Sequence, residues 1–369
     1  MEEKKCWVGL NMVLGVGKTL FARLHRRIGS VEKVFKAASK ELMEVNGIGE
    51  KTAAEIVNFD LERNVEREFR LAEKFGFQIM TLQSPDYPEL LKSIYDPPPV
   101  LYYKGTPLNQ LPPSIAIVGS RRPTRYGKIA AEKLSESLAA KGLCVVSGMA
   151  RGIDTAAHQG AIRAGGKTVA VFGCGLSHTY PPENVALRRK IEENGALVSE
   201  FPISTKPDKN NFPARNRVIS GLSLGSVVIE AGGKSGALIT AQFALDQGRE
   251  VFAVPGSIYS PQSQGTNQLI KTGAKLVDGP EAIVEELPLS VRERLTGCDR
   301  GQTDSAQSVG LSEKERNLMS LLSLEERHIE TLIENSRLSP AEVSATLTQL
   351  ELKGLVQQKE AKMFISNCI

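Results

Sequence analysis

The sequence predicts an α/β protein with a doubly wound parallel sheet in the middle of the chain, a glycine-punctuated helical module before it and a small helix-and-hairpin module after it. Three observations carry this. Between residues 113 and 287, short continuous runs of Val, Ile and Ala alternate with helical patterns, the mark of strands buried on both faces. Ahead of them, apolar residues recur at helical spacing between Gly-x-Gly turns. Behind them, a polar, glycine-bearing stretch precedes a last cluster of helices and two short strand patterns. The expected domains are therefore 1–65, a connecting segment 66–112, the core 113–287, a linker 288–310 and a C-terminal domain 311–369.

The chain's 369 residues suffice for two or three domains, and 41% apolar with 24% charged residues is ordinary globular composition, which excludes collagen, wholesale disorder and a membrane bundle. Cys6, Cys144, Cys174, Cys298 and Cys368 lie far apart and the four histidines are scattered, so neither a disulfide framework nor a metal site is expected. Met1-Glu-Glu-Lys-Lys leads into no apolar stretch of signal-peptide type, and the apolar runs are too short to span a bilayer. A cytoplasmic, reduced protein with no membrane partner and no cofactor is expected. The net charge of +4 is mild, but residues 113–285 hold 20 Lys/Arg against 14 Asp/Glu, whereas residues 311–369 hold 7 against 9. The positive field belongs to the core.

In the N-terminal module, Leu14-Gly-Val-Gly17-Lys-Thr-Leu20 opens a helix to Ile28, and Val45-Asn-Gly47-Ile-Gly49-Glu-Lys-Thr-Ala53 opens another through Ile56. A Gly-hydrophobic-Gly turn into a helix leaves backbone N–H groups converging at a positive dipole end, which suits a phosphate. The spacing resembles the tandem helix-hairpin-helix module of DNA repair and uptake proteins, which implies possible contact with duplex DNA; glycines serving only as tight turns are the plain alternative.

Core strands are expected at Ile115-Ala-Ile-Val-Gly119, Leu143-Cys-Val-Val-Ser147, Thr168-Val-Ala-Val-Phe-Gly173, Ala196-Leu-Val-Ser199, Ser226-Val-Val-Ile-Glu230, Glu250-Val-Phe-Ala-Val254 and Lys275-Leu-Val-Asp278. This is an extended Rossmann-like arrangement, whose ligands bind outside the carboxyl ends of the strands. Those ends carry the chemistry. Gly119-Ser120-Arg121 is neither a dinucleotide GxGxxG nor a Walker loop, yet it puts glycine N–H groups, a hydroxyl and a guanidinium near a helix start, with Arg122 and Arg125 beside it. Ser147-Gly-Met-Ala-Arg151-Gly-Ile-Asp154 brings Arg151 to the same edge, with Asp154 expected to cap its helix.

Lys209, Phe212, Arg215, Asn216 and Arg217 follow on a loop and the first turn of a helix, a basic-aromatic mixture suited to single-stranded nucleic acid. The competing reading puts Phe212 in the core and pairs Arg215 and Arg217 with Glu200 and Glu230. Gly232-Gly-Lys-Ser235-Gly236 is a further phosphate-suited turn. So many anion-suited turns on one edge exceed what one mononucleotide fills and suit a row of phosphates.

Beyond the linker, helices from Ser312, near Ile329–Glu334 and over Pro340–Lys353, with wing strands at Leu355-Val-Gln-Gln-Lys and Met363-Phe-Ile-Ser, form a winged-helix pattern. Glu342, Glu351 and Lys353 on the third helix have the wrong sign for a major-groove reader, so a protein contact is expected there.

Gly119-Ser120-Arg121, Ser147 to Asp154, Tyr180-Pro-Pro-Glu-Asn184, Phe212-Pro-Ala-Arg-Asn-Arg217, Glu230 to Ala241, and Phe252-Ala-Val-Pro-Gly256, preceded by Asp96-Pro-Pro-Pro-Val-Leu-Tyr-Tyr-Lys-Gly105, together resemble the DNA-processing protein A (DprA/Smf) family over roughly residues 80–285. The resemblance implies a non-enzymatic, sequence-independent single-stranded DNA-binding protein of natural transformation. It implies a homodimer that protects incoming DNA and loads the RecA recombinase onto it. The implied DNA contacts are Gly119, Ser120, Arg121, Arg151, Lys209, Phe212, Arg215 and Arg217, with Asn216 and Ser235. The resemblance also implies that Ser177 stands where relatives usually carry an acidic residue. A more distant resemblance to nucleotide phosphoribohydrolases leaves an enzyme as the alternative, but Ile239 occupies the place of their glutamate, and an aliphatic chain exchanges no proton. A duplex- or junction-binding repair protein driven by the N-terminal hairpins is the other alternative. Deleting 1–65 is expected to leave single-strand binding nearly untouched if the core is the site.

Overall fold

The computed structural model describes residues 2–298, 312–322, 327–359 and 362–366, divided between the units Met1–Gly301 and Gln302–Ile369. The N-terminal helices are α1 (Glu2–Met12), α2 (Lys18–Ile28), α3 (Val31–Lys36), α4 (Ser39–Met43), α5 (Glu50–Val57) and α6 (Leu61–Phe75). The two Gly-x-Gly turns are equivalent. Gly15 and Gly47 take left-handed backbone (φ +86° and +94°), Val16 and Ile48 are buried, and Gly17 and Gly49 cap α2 and α5 with no side-chain bond.

The core continues with β1 (Gln78–Thr81), α7 (Glu89–Lys92), β2 (Val100–Gly105), β3 (Ser114–Val118), α8 (Arg125–Ala140), β4 (Cys144–Ser147), α9 (Ile153–Arg163) and β5 (Thr168–Phe172). Next come α10 (Val185–Asn194), β6 (Gly195–Ser199), α11 (Asn211–Gly221), β7 (Gly225–Val228), α12 (Gly236–Asp246), β8 (Glu250–Ala253), α13 (Gln264–Lys271), β9 (Lys275–Leu276), α14 (Glu281–Val284) and α15 (Leu289–Cys298). Among the described residues these strands form one sheet in the order β1-β2-β6-β5-β4-β3-β7-β8-β9. From β6 to β9 every pair is parallel. The order reverses at β3, which lies between β4 and β7, so a crevice opens there at the carboxyl ends.

Two segments differ from the sequence-level expectation. The connector 66–112 holds β1 and β2, which extend the sheet antiparallel from β6. Val100, Leu101 and Tyr102 are fully buried, a strand directly after Pro97-Pro98-Pro99 in the segment expected only to connect to the core. The linker 288–310 begins with α15, because Val291 and Leu295 stand one helical turn apart and pack on the apolar cluster of α8 and α9; residues 299–310 lie outside the described residues.

The N-terminal helices share their core with the sheet. Leu10 and Leu24 belong to one apolar cluster with Phe172, Leu197 and Ile203, and the buried Glu68 of α6 accepts the Ile203 N–H at 2.7 Å. Deleting 1–65 would therefore strip cover from β5 and β6, and point substitutions are the cleaner test of which module binds a strand.

His158 of α9 is fully buried, with Nδ1 2.7 Å from Thr168 Oγ1, and burial, followed by the nearby Arg215 charge, pushes its pKa down to about 3. The unfolded chain takes up that proton near pH 6.5, so this contribution is complete above that pH and is lost progressively as pH falls toward 3. Denaturant unfolding at pH 5 is expected to give a stability about 2 kcal/mol lower than at pH 7 from this group, a difference that His158→Gln should abolish. Equal pH dependence in the variant would assign the effect elsewhere.

The C-terminal unit comprises α16 (Glu313–Leu321), β10 (Arg327–His328), α17 (Ile329–Ser336), α18 (Pro340–Leu352), β11 (Val356–Gln358) and β12 (Met363–Ser366), with the strands ordered β10-β12-β11 around Leu318, Leu332, Leu347 and Phe364. Its helices and wing are those expected. Glu342 closes a capping box with Ser339 and pairs with Lys314 at 2.7 Å, so this acid is spent on holding α18. No helix among the described residues is long and apolar enough to cross a membrane.

Candidate nucleic-acid interface

A cavity of about 790 Å³ opens in the crevice beside β3, walled by the turn after β3, the start of α11 and the glycine turn before α12. The β3 turn is fixed by its backbone. Ser120 N–H donates to Glu230 O at 2.8 Å, Ser120 O accepts from Ile153 N–H at 3.1 Å, and Ser120 Oγ accepts the Arg122 N–H at 3.1 Å. A Cβ on Gly119 would stand 2.6 Å from Ile153, so only glycine fits. Glu230 is buried and accepts both the N–H (2.8 Å) and the hydroxyl of Thr124, the N-cap of α8. It holds Arg121 and Arg122 at the mouth and is not the partner of an α11 arginine.

The two arginines of α11 part company. Arg215 is buried in the cavity wall, where Nη1 donates to Gly148 O (2.8 Å) and Val171 O and Nε to Asn216 Oδ1 (3.2 Å). Asp154 lies beside it and accepts the N–H groups of Gly148 and Ala150, each at 3.2 Å; the helix is capped by Gly152, not by Asp154 as expected. Burial raises the Asp154 pKa against the pull of Arg215, and burial lowers that of Arg215 to about 10, with Asp154 opposing, which leaves the guanidinium charged at neutral pH.

Arg217, expected on the strand path, is fully buried off the cavity and bonded to Glu200, because positions two apart on a helix face opposite ways. The pairing alternative thus describes Arg217. Arg151 is exposed but forms a two-point pair with Glu183, Nη2 lying 3.2 Å from Oε2, and lines a small side pocket instead of the main cavity. Its charge is already compensated.

Phe212 is half-buried, and its ring fills the space above Gly173, where a Cβ would come within 2.7 Å. The Arg121 guanidinium lies 5.4 Å above the ring centroid, and the Tyr180 ring stands 5.3 Å away, tilted by 35°. Asn216 Nδ2 donates to Gly236 O at 3.2 Å, and Ser235 Oγ caps α12 by accepting the Ala237 N–H at 3.3 Å. Lys209 is exposed on the approach to α11.

The cavity is also lined by Arg122, Tyr180 and Lys234, which are not among the expected contacts. Lys234 is exposed in the turn before α12, where its neighbours Gly232, Gly233 and Gly236 had already signalled an anion site. Arg121, Arg122, Lys209, Lys234 and Arg215 thus surround one cavity whose wall contains the single, engaged carboxylate of Asp154 among the described residues.

Residues 78–288 match the family described as DNA recombination-mediator protein A, residues 302–362 match the DprA winged helix domain, and residues 9–59 match a SAM-like helix-hairpin-helix tandem. The Smf protein of Synechocystis is 35% identical over 391 residues, covering 97% of each chain. The chain belongs to the DNA-processing protein A family. The X-ray structure of DprA from Streptococcus pneumoniae superposes with TM-score 0.69 at 34% identity, covering 77% of this chain and 98% of that one. DNA processing protein A from Helicobacter pylori, whose structure is described in terms of its single-stranded DNA binding mode, matches with TM-score 0.52 at 32% identity over 57% of this chain and 98% of that one. Ser177 donates its hydroxyl to Ile203 O at 2.6 Å and stays out of the cavity.

Proposed function

We propose that the cavity beside β3 binds single-stranded DNA without sequence preference, that the protein guards incoming strands in the bacterial cytoplasm during transformation, and that as a homodimer it delivers them to RecA. The observation that carries this reading is the ring of Arg121, Arg122, Lys209 and Lys234 around one open cavity floored by backbone turns. Side chains that meet phosphates fix a strand without reading it. The Helicobacter relative's single-strand binding supports the same reading. Ile239 in the cavity wall, and an Asp154 already engaged by two backbone N–H groups, favour binding over chemistry. The winged helix is left for a protein partner.

The test is fluorescence anisotropy with a labelled thymidine oligomer titrated in salt, beside duplex DNA and AMP as competitors. Tight, salt-sensitive binding that AMP does not displace supports the reading, and RecA filament assembly on the bound strand then tests delivery. Ready displacement by AMP would instead favour a mononucleotide enzyme, to be assayed by release of free base.

Phe212→Ala is expected to cost about 1–3 kcal/mol of strand affinity with the salt slope unchanged, because a stacking face is lost and no phosphate contact goes with it. Unaltered affinity would make the ring a packing element over Gly173 alone.

A further inference from the structure

Helix α11 is gripped from two sides. Residues 215 and 217 stand about 200° apart around the helix, so Arg215 turns to the strand ends and Arg217 turns away from them. Arg217 meets carboxylates from two other segments. Its Nη2 donates to Glu200, which follows β6, and its Nε lies 3.6 Å from Asp96, before β2. Asp96 Oδ2 in turn lies 2.5 Å from Lys18 Nζ, at the start of α2 directly after Gly15-Val16-Gly17. Asn11 of α1 adds a 3.4 Å bond from Nδ2 to Glu200 O. The Arg217 side chain is 1% exposed, whereas Lys18 and Asp96 are 27% and 26% exposed. Arg217 Nη1 and Glu200 Oε1 are buried with no hydrogen-bond partner, so the guanidinium is held by charge more than by a full set of bonds.

We infer that this cluster couples the N-terminal module to the strand cavity, with Lys18 and Arg217 as positioning residues that set α11 and, through it, Phe212, Arg215 and Asn216. The inference rests on reading the cavity as a single-strand site. Asp96 is shared between Lys18 and Arg217, and Glu200 holds Arg217 from the other side. Removing the lysine charge leaves Arg217 as the nearest cation to Asp96, and the guanidinium is drawn from Glu200 toward it. Arg217 lies one and a half turns after Phe212, so that pull is transmitted to the cavity wall. The first hairpin's lysine is thereby committed to the core, and whatever seizes the N-terminal module changes strand affinity, with the reverse effect equal in size.

Arg217 is too deeply buried for a clean test, so the exposed end of the cluster is altered in the full chain. Lys18→Met is expected to weaken binding of a thymidine oligomer about three- to tenfold with the wild-type salt slope, since no phosphate contact is lost. Lys18→Arg should restore affinity to within about twofold, and the Lys18→Met/Asp96→Asn double variant should be no weaker than either single change, as expected when both act through one contact. Amide exchange over 211–221, measured without DNA, should be faster in Lys18→Met. Wild-type affinity together with unchanged exchange overturns the coupling, and so does weakened binding with a shallower salt slope, which would make Lys18 a phosphate contact. Failure of the wild-type protein to bind the oligomer would remove the cavity reading, and the exchange measurement would still decide the coupling.

Discussion

Lys209→Glu is expected to weaken binding of a thymidine oligomer by on the order of tenfold to a hundredfold at low salt, and to make the remaining affinity less sensitive to salt. Lys209 is exposed on the loop before α11, at the cavity wall, and its side chain is in no apolar cluster. The substitution therefore acts on the ligand and leaves the fold alone. A strand contact at this position releases a counterion when it forms, so its loss lowers the slope of log affinity against log salt by about 0.7. Reversing the charge adds repulsion to that loss. Arg121→Glu should act in the same direction and also uncover one face of Phe212, because its guanidinium lies over that ring. Arg151→Gln is the internal control: Arg151 is already neutralised by Glu183 and faces a side pocket, so its loss should change affinity by less than about twofold. Parallel salt plots for wild type and Lys209→Glu would show that the strand does not pass this lysine.

The core was legible because its signals are local. Buried parallel strands read as unbroken Val/Ile/Ala runs, and the turns at their carboxyl ends read as glycines beside basic residues. Residues whose partners lie far along the chain were not legible. Glu230 bonds Thr124 across 106 positions and Glu68 bonds Ile203 across 135, and no local pattern announces either pairing. Strand β2 is masked in the sequence by the proline run directly before it. Arg217 is a different case, since the signal was present. Once 211–221 is read as helix, two arginines two positions apart cannot both face one cavity, and one of them has to find a carboxylate elsewhere. Lys234 carries a local signal of the same kind, since it sits inside a turn whose glycines mark an anion site.

Arg215→Met should separate folding from binding most sharply, with an expected loss of about 3–5 kcal/mol in unfolding free energy. Methionine can fill the aliphatic part of the arginine's volume, so the loss comes from charge and hydrogen bonds. Gly148 O and Val171 O each lose the Arg215 donor, and the buried Asp154 loses the cation that opposes its desolvation. The Asp154 pKa, already raised by burial, should rise further. A folded-state pKa above the unfolded value costs stability increasingly as pH climbs from the unfolded value through the folded one, so the variant's loss relative to wild type should be larger at pH 7 than at pH 5. Asp154→Asn in the same chain removes the buried charge and keeps an acceptor for the Gly148 and Ala150 N–H groups, and should recover a large part of the loss. Trp7, the chain's one tryptophan, is buried in the cluster shared by the N-terminal helices and the sheet, so its fluorescence reports unfolding of this unit. A loss below about 1 kcal/mol, accompanied by weak strand binding and a shallower salt slope, would turn Arg215 from the clamp of α11 into a phosphate contact. The floor of the cavity would then be part of the strand path, and Asp154 would have to be carried by its backbone donors alone.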